Sequence, residues 1–401
     1  MRILIAAAGS RGDVAPYTGL GAELRRVGHD VVLAAHETFA SSARAAGLGF
    51  RGLPGRAEGD VSGRRELMRT ATAFVTELGQ GFVDVVTPDT DLLLLSTTTA
   101  PLGRHLTEAT GIPNLDVHLQ PTAPTGDFPP PVTGARSLGR LGNRLAGRLA
   151  LRMADRVHTQ AVTELRRRLD LPARTPAAER RRQERAHRPV LHGFSTALVP
   201  RPSDWRPGLE IVGTWWPYLD PAERLPAEVE DFLAAGPPPV LVGFGSMGAG
   251  HGERLSSLAV RALRAAGLRG ILQSGSAGLA ADGDDVLTVG DVPHALLFPR
   301  VAAVVHHAGA GTTAAGLRAG VPAVPVPVAA DQPFWAARLA RLGAATAPLP
   351  FGSLTAEALT DALDRAVRHP GYARSAEAAA RHLAAEDGAG RTVAYLAERF
   401  G

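Results

Sequence analysis

Two kinds of stretch alternate along this chain. Short apolar runs, such as ILIAAA at 3–8 and LLLL at 92–95, are followed by longer stretches whose apolar positions recur every three to four residues. The short runs read as buried strands and the longer stretches as amphipathic helices. In the first half, strands are expected at 3–8, 31–35, 92–95 and 113–118. Helices are expected at 16–27 and 38–46, with Pro16 at a first turn, where proline is tolerated. The second half restarts the pattern, with strands at 240–244, 270–273, 286–289, 302–306 and 323–328. A helix is expected at 253–266 and a helical tail over 355–400. Strand–helix alternation predicts a parallel sheet covered on both faces. Here it occurs twice, so the expected fold class is α/β, with two Rossmann-like domains facing across a cleft.

Prolines at 200, 202, 207, 217, 221 and 226 mark the break between the halves. The expected division is a first domain over 1–205, a linker over 206–222, a second domain over 223–380 and a terminal helix over 381–401. Residues 121–131 hold five prolines and read as loop. Long loops in compact domains are commonly functional, and this one is assigned to an acceptor-binding surface.

A length of 401 residues fits two domains better than one, and the 45% apolar fraction supplies their cores. The absence of cysteine excludes disulfides and thiolate metal sites. All 43 basic residues are arginine, which together with abundant Ala, Gly and Pro points to a GC-rich genome, of the kind actinomycetes carry. A net charge of +4 argues against nucleic acid as a partner. The basic run at 178–188 reads as a solvated helix or loop. The first apolar run is too short for a signal peptide, and no run approaches the roughly 20 residues of a membrane span. A cytoplasmic protein with no integral membrane segment, a monomer or weak homodimer, is expected.

The segment VAAVVHHAGAGTTAAGLRAGVPAVPVPVAADQPFW, residues 301–335, carries the most chemistry. A strand that runs into small residues and then a helix leaves backbone N–H groups free at the helix start, a site for phosphate. Gly309, Ala310, Gly311 and Thr312 occupy that start. Asp331 and Gln332 follow the next strand, on the same rim of the sheet. A phosphate grip beside hydroxyl-binding side chains suggests a sugar nucleotide. As an alternative, Asp331 and Gln332 cap the helix that follows. In the first half, Asp13 lies in GSRGD directly after the first strand, where a carboxylate can take the proton of an attacking hydroxyl. Its other reading is a helix cap.

HHAGAGTT at 306–313 followed by DQPFW at 331–335 resembles the donor-binding region of family 1 glycosyltransferases of the GT-B fold, the bacterial antibiotic and sterol enzymes in particular. GSRGDVAP at 9–16, LQPTAPTGDFPPP at 119–131 and DVPHALLFPRVAAVVHHAG at 291–309 agree with it in order. The resemblance implies that Asp13 is the catalytic base and His307 the histidine that binds the diphosphate. Ser246 in GFGS would add a phosphate contact, Val292 would hold the pyrimidine through its backbone, and Asp331 and Gln332 would grip the sugar. Ser10 is a weaker candidate for phosphate or acceptor. The terminal helix would cross back onto the first domain. The pattern commonly has glycine where this chain has Ala308, and little cost is expected from so small a side chain.

The expected activity is inverting transfer of a sugar from a UDP- or TDP-sugar to a hydrophobic acceptor such as a polyketide, macrolide, glycopeptide or sterol. The nucleotide sugar is a co-substrate, and neither a cofactor nor a metal is expected. A non-catalytic homologue acting as a partner is disfavoured because the base and histidine positions are intact. GFGSMG at 243–248 is also a literal G-x-G-x-x-G, which raises a nicotinamide-dependent oxidoreductase. That reading expects an acidic residue at the end of the next strand, where Gln273-Ser274 stand.

Overall fold

A computed structural model describes residues 1–55, 64–134 and 136–401, and the side chains of 64–67, 246 and 247 lie outside the description. The first half contains β1 (Arg2–Ala6), α1 (Arg11–Arg26), β2 (Asp30–Ala35), α2 (Ala40–Ala45), β3 (Gly49–Gly52), α3 (Arg64–Val85), β4 (Leu92–Leu95), α4 (Ala100–Thr110), β5 (Asn114–His118), α5 (Gly139–Arg168), α6 (Pro176–Arg185), β6 (Val190–His192) and β7 (Leu209–Ile211). The strands form one sheet in the order β3-β2-β1-β4-β5-β6-β7, every pair parallel. Leu92, Leu93, Leu94 and Leu95 are all fully buried, because helices cover both faces of the sheet.

The second half contains α7 (Ala227–Ala234), β8 (Val240–Gly243), α8 (Gly252–Ala265), β9 (Gly270–Gln273), β10 (Val286–Val289), α9 (His294–Leu297), β11 (Ala303–His306), α10 (Ala310–Arg318), β12 (Ala323–Pro325), α11 (Gln332–Leu342), α12 (Ala356–Arg368), α13 (Pro370–Ala384) and α14 (Gly388–Phe400). Its sheet runs β10-β9-β8-β11-β12, again parallel throughout. In both sheets the strand order reverses beside the first strand, so a crevice opens beyond the carboxyl ends of β1 and β8.

Two local differences from the sequence reading have clear causes. Helix α1 starts at Arg11 rather than 16, because Ser10 and Asp13 form a capping box. Pro16 then lies inside the helix and forgoes one backbone bond. Within the stretch expected to be linker, Leu209–Ile211 is a strand paired with β6, and Leu209 and Ile211 bury their side chains. The prolines there exclude helix but leave room for a short edge strand.

Beyond β7 the chain is pinned rather than loose. Trp215 is buried, and its indole N–H donates to Gly388 O (3.1 Å) and Thr392 Oγ1 (3.0 Å) at the start of α14. Helix α14 packs on α1, with Leu396 entering the core of the first sheet. A cluster shared by the two halves joins Phe128, Phe194 and Trp205 to Phe334, Trp335 and Leu339. No helix among the described residues is long and apolar enough to cross a membrane.

Candidate active site

The turn from β1 into α1 presents Asp13. The Ser10 backbone N–H and hydroxyl both donate to Asp13 Oδ2, at 2.9 and 2.8 Å. Gly9 has φ +140°, and a Cβ there would lie 2.6 Å from the same oxygen. Only glycine therefore lets the carboxylate fold back over the turn. Burial raises the Asp13 carboxyl above its usual range, and the two Ser10 bonds only partly offset this. Asp13 thus caps the helix, the second of its two sequence readings, and does so with a carboxylate whose pKa burial raises. One helical turn on, Tyr17 is fully buried, its hydroxyl donating to Val117 O at 2.6 Å.

The facing turns follow β8 and β11, which are neighbours at the crevice of the second sheet. His306 is buried, and its Nδ1 accepts the Ala308 N–H at 3.1 Å. His307 points the other way and is caged by glycine. A Cβ on Gly309 would approach its Nε2 to 2.5 Å, and one on Gly245 its Cε1 to 3.2 Å. Its Nδ1 is buried with no hydrogen-bond partner among the described residues. Burial lowers its pKa to about 4, so the ring is neutral at physiological pH and offers one N–H. Gly309 is the N-cap of α10 and carries no side chain to satisfy the first turn. Thr313 N–H closes that turn on Gly309 O (2.9 Å). The N–H groups of Ala310, Gly311 and Thr312 have no intrahelical acceptor and face the crevice end of the helix. Ser246 lies in the 3-10 turn Gly245–Gly248 beside them, with its side chain outside the description.

Ala308 corrects an expectation. Its backbone sits at φ +62° and its side chain is fully buried. This is the left-handed region, where a Cβ costs roughly 1–2 kcal/mol. Alanine in place of glycine here is therefore strained rather than nearly free.

Asp331 heads α11 as its N-cap residue, without a side-chain cap bond. Its Oδ2 accepts the Trp335 indole N–H at 2.6 Å and Gln120 Nε2, from the first half, at 2.9 Å. Desolvation raises its pKa, the Trp335 bond opposes this, and the charge of Asp13 adds to the rise. The two carboxylates therefore share one cleft. Gln332 has its amide oxygen engaged by backbone. It is buried, and its Oε1 accepts the N–H groups of Val328 (2.8 Å) and Ala329 (3.1 Å). Its oxygen shapes the loop before α11 instead of facing the cleft, because two backbone N–H groups there need an acceptor.

Comparison with known proteins agrees with this geometry. A family model described as the glycosyltransferase family 28 N-terminal domain matches residues 3–87. One described as the C-terminal domain of erythromycin biosynthesis protein CIII-like matches residues 272–398. O-mycaminosyltylonolide 6-deoxyallosyltransferase of Streptomyces fradiae is 38% identical, over 97% of this chain and 95% of that one. The chain is a glycosyltransferase of this family. A sterol 3-beta-glucosyltransferase of Arabidopsis thaliana is 32% identical, over 99% of this chain and 65% of that one. The solved structure of the glycosyltransferase VinC in complex with DTDP has 20% identity, a TM-score of 0.66 and 99% coverage of both chains. The fold is the GT-B fold.

The remaining features of the glycosyltransferase cleft were less legible. Val292 is buried with its side chain in the core, so only its backbone can meet a ligand. Next to it, Asp291 pairs with Arg11 across the cleft mouth. His294 stacks on Phe298 at 4.3 Å, and its Nε2 lies 3.3 Å from Gln273 Oε1. The residue that an oxidoreductase would need as an acid is thus an amide engaged with this histidine. Three contributors escaped the sequence reading. Gln120 and the Trp335 indole both hold Asp331, and the buried Thr313 hydroxyl has no partner among the described residues. Gln120 was visible only as part of the motif at 119–131, with no role assigned to it.

Proposed function

We propose that this glycosyltransferase transfers a sugar, with inversion, from a UDP- or TDP-sugar to a hydroxyl of a hydrophobic natural product. The observation that carries the reading is the placement of a desolvated carboxylate, Asp13, opposite the free start of α10 and the neutral His307. The acceptor hydroxyl attacks the anomeric carbon as the bond to the diphosphate oxygen breaks. Asp13 takes the hydroxyl proton and later releases it to solvent, and its raised pKa makes it a stronger base than an exposed aspartate. The leaving diphosphate gains charge, which the N–H groups of Ala310, Gly311 and Thr312 and one N–H of His307 stabilise. Ser246 and the Thr312 hydroxyl are assigned to the same phosphates, and the Val292 backbone to the base. Asp331 accepts hydroxyls of the sugar, while Gln332 supports the loop that carries Asp331.

Thymidine and uridine donors are both compatible with a base read by backbone. The VinC complex with DTDP favours trying TDP first. The acceptor class rests on the macrolide-type and sterol relatives and on the loop at 121–131. The test is turnover of TDP- and UDP-sugars with a panel of macrolide and sterol aglycones, with the anomeric configuration of the product read by NMR. Inverted product lost in Asp13→Asn supports the reading. Retained configuration overturns the single displacement. Nucleoside diphosphate binding with no transfer to any aglycone overturns the acceptor assignment.

A further inference from the structure

Five of the seven large apolar side chains exposed among the described residues lie on one short segment: Val132, Leu138, Leu141, Leu145 and Leu149. Leu141, Leu145 and Leu149 are 77%, 63% and 58% exposed. Spaced four residues apart on α5, they span about 80° of the helix surface. The opposite face of the helix is occupied. Asn143 Nδ2 donates to Gly126 O at 3.1 Å, and a Cβ on Gly147 would lie 3.0 Å from Pro124. The first turns of α5 therefore back onto the 121–131 loop and turn Leu141, Leu145 and Leu149 outward.

Arginines accompany the leucines at 136, 140, 144, 148 and 152, and no acidic residue occurs from 132 to 154. Arg140 pairs with Asp127 and Arg144 with Asp204, both at 2.5 Å, which tie the helix to the loop region. Arg136, Arg148 and Arg152 are exposed and have no carboxylate partner among the described residues. An exposed leucine stripe flanked by unpaired arginine matches the chemistry of an interface between hydrocarbon and anionic headgroups. A second copy of the chain is a poorer occupant, since a symmetric pairing of this face would set arginines against arginines. The side chains also protrude rather than line a groove, and a lipid surface needs no shape match.

We infer that the leucine–arginine face of α5 rests on an anionic lipid surface and brings the adjoining 121–131 loop to the source of an apolar acceptor. The surface itself stands independently of the acceptor assignment, so the test reads binding and not turnover. The whole chain is sedimented with vesicles of phosphatidylcholine alone and of an equimolar mixture with phosphatidylglycerol, at low and high salt. Binding to the mixed vesicles that weakens with salt is expected. Arg148→Gln and Arg152→Gln should each weaken it about fivefold. Leu145→Ser with Leu149→Ser should weaken it at least roughly tenfold. The melting temperature should hold in all of them, because these side chains are already exposed. Failure of the native chain to bind either vesicle overturns the proposal, and so does binding that the substitutions leave unchanged. A concentration-dependent dimer abolished by the leucine substitutions also overturns it, assigning the face to a second copy.

Discussion

The two halves share one plan, a parallel sheet with its site at the strand-order reversal, yet they build their sites differently. The second half works mainly through backbone. Its groups are the helix start at Ala310, Gly311 and Thr312 and a histidine held between Gly245 and Gly309. The first half works through side chains: one carboxylate on a capping box, one amide at Gln120 and a proline-rich loop backed by α5. On the proposed function, the diphosphate is the same in every donor, so a backbone cradle would serve it. An acceptor varies, and side chains on loops are the part of a fold that can vary with it.

Asp13→Asn should break the first half most. If Asp13 is the base, as proposed, its loss should cut kcat about 10²–10⁴-fold, with nucleoside diphosphate affinity nearly unchanged by calorimetry. Stability should move the other way. The folded pKa of Asp13 is raised, so the protonated form favours folding and that contribution is lost as pH rises through the folded value. At neutral pH the charged form is a cost that asparagine removes, and Tm should rise by on the order of 2 °C. The gain should vanish below the ordinary aspartate pKa of about 4. In the native enzyme, the acid limb of kcat/KM should lie above that value, and a limb at or below it would remove Asp13 from the role of base.

His307→Ala strikes the second half and should come next. Removing one donor to the leaving diphosphate is expected to cost about 10²-fold in kcat and to weaken nucleoside diphosphate binding as well. Because burial holds His307 near pKa 4, the native pH–rate profile should show no inflection near 6.5 that disappears in the variant. Such an inflection would mean that the ring titrates as a cation in the working enzyme.

Gln120→Ala probes the amide that reaches across to Asp331. If the donor sugar takes the place of Gln120 on that carboxylate, its removal should tighten donor binding about threefold, a fraction of one hydrogen bond to a charged acceptor, because water replaces most of it. Weaker binding would show instead that Gln120 itself holds the sugar.

What the sequence disclosed follows the same division. Strand runs such as Leu92–Leu95 and the turn at Gly309 are local patterns, and local patterns survive in sequence. The pairing of β7 was hidden among flanking prolines, since a three-residue edge strand carries too short an alternation to read. Gln120, the Trp335 indole and the outward leucines of α5 depend on what lies across the cleft or beyond the surface, which periodicity does not encode. The engagement of the Gln332 oxygen was hidden for the same reason, since the two loop N–H groups that it accepts leave no mark in the local pattern.

Ala308→Gly carries the smallest expected effect and asks what the strained turn of the second half is for. At φ +62°, alanine costs roughly 1–2 kcal/mol that glycine does not incur. Glycine gives back about 0.4–1 kcal/mol through the greater freedom of the unfolded chain. The net should be a gain of up to about 1.6 kcal/mol, or a Tm rise of order 2 °C for a chain of this size. Ala308 sits between His307 and Gly309, so its backbone sets where the imidazole enters its glycine cage. Unchanged kcat with the higher Tm would mark the strain as incidental to a cradle already fixed by its neighbours. A gain in stability accompanied by lower kcat would mean that the alanine stiffens the turn, and that the backbone half also depends on a side chain, the smallest one available.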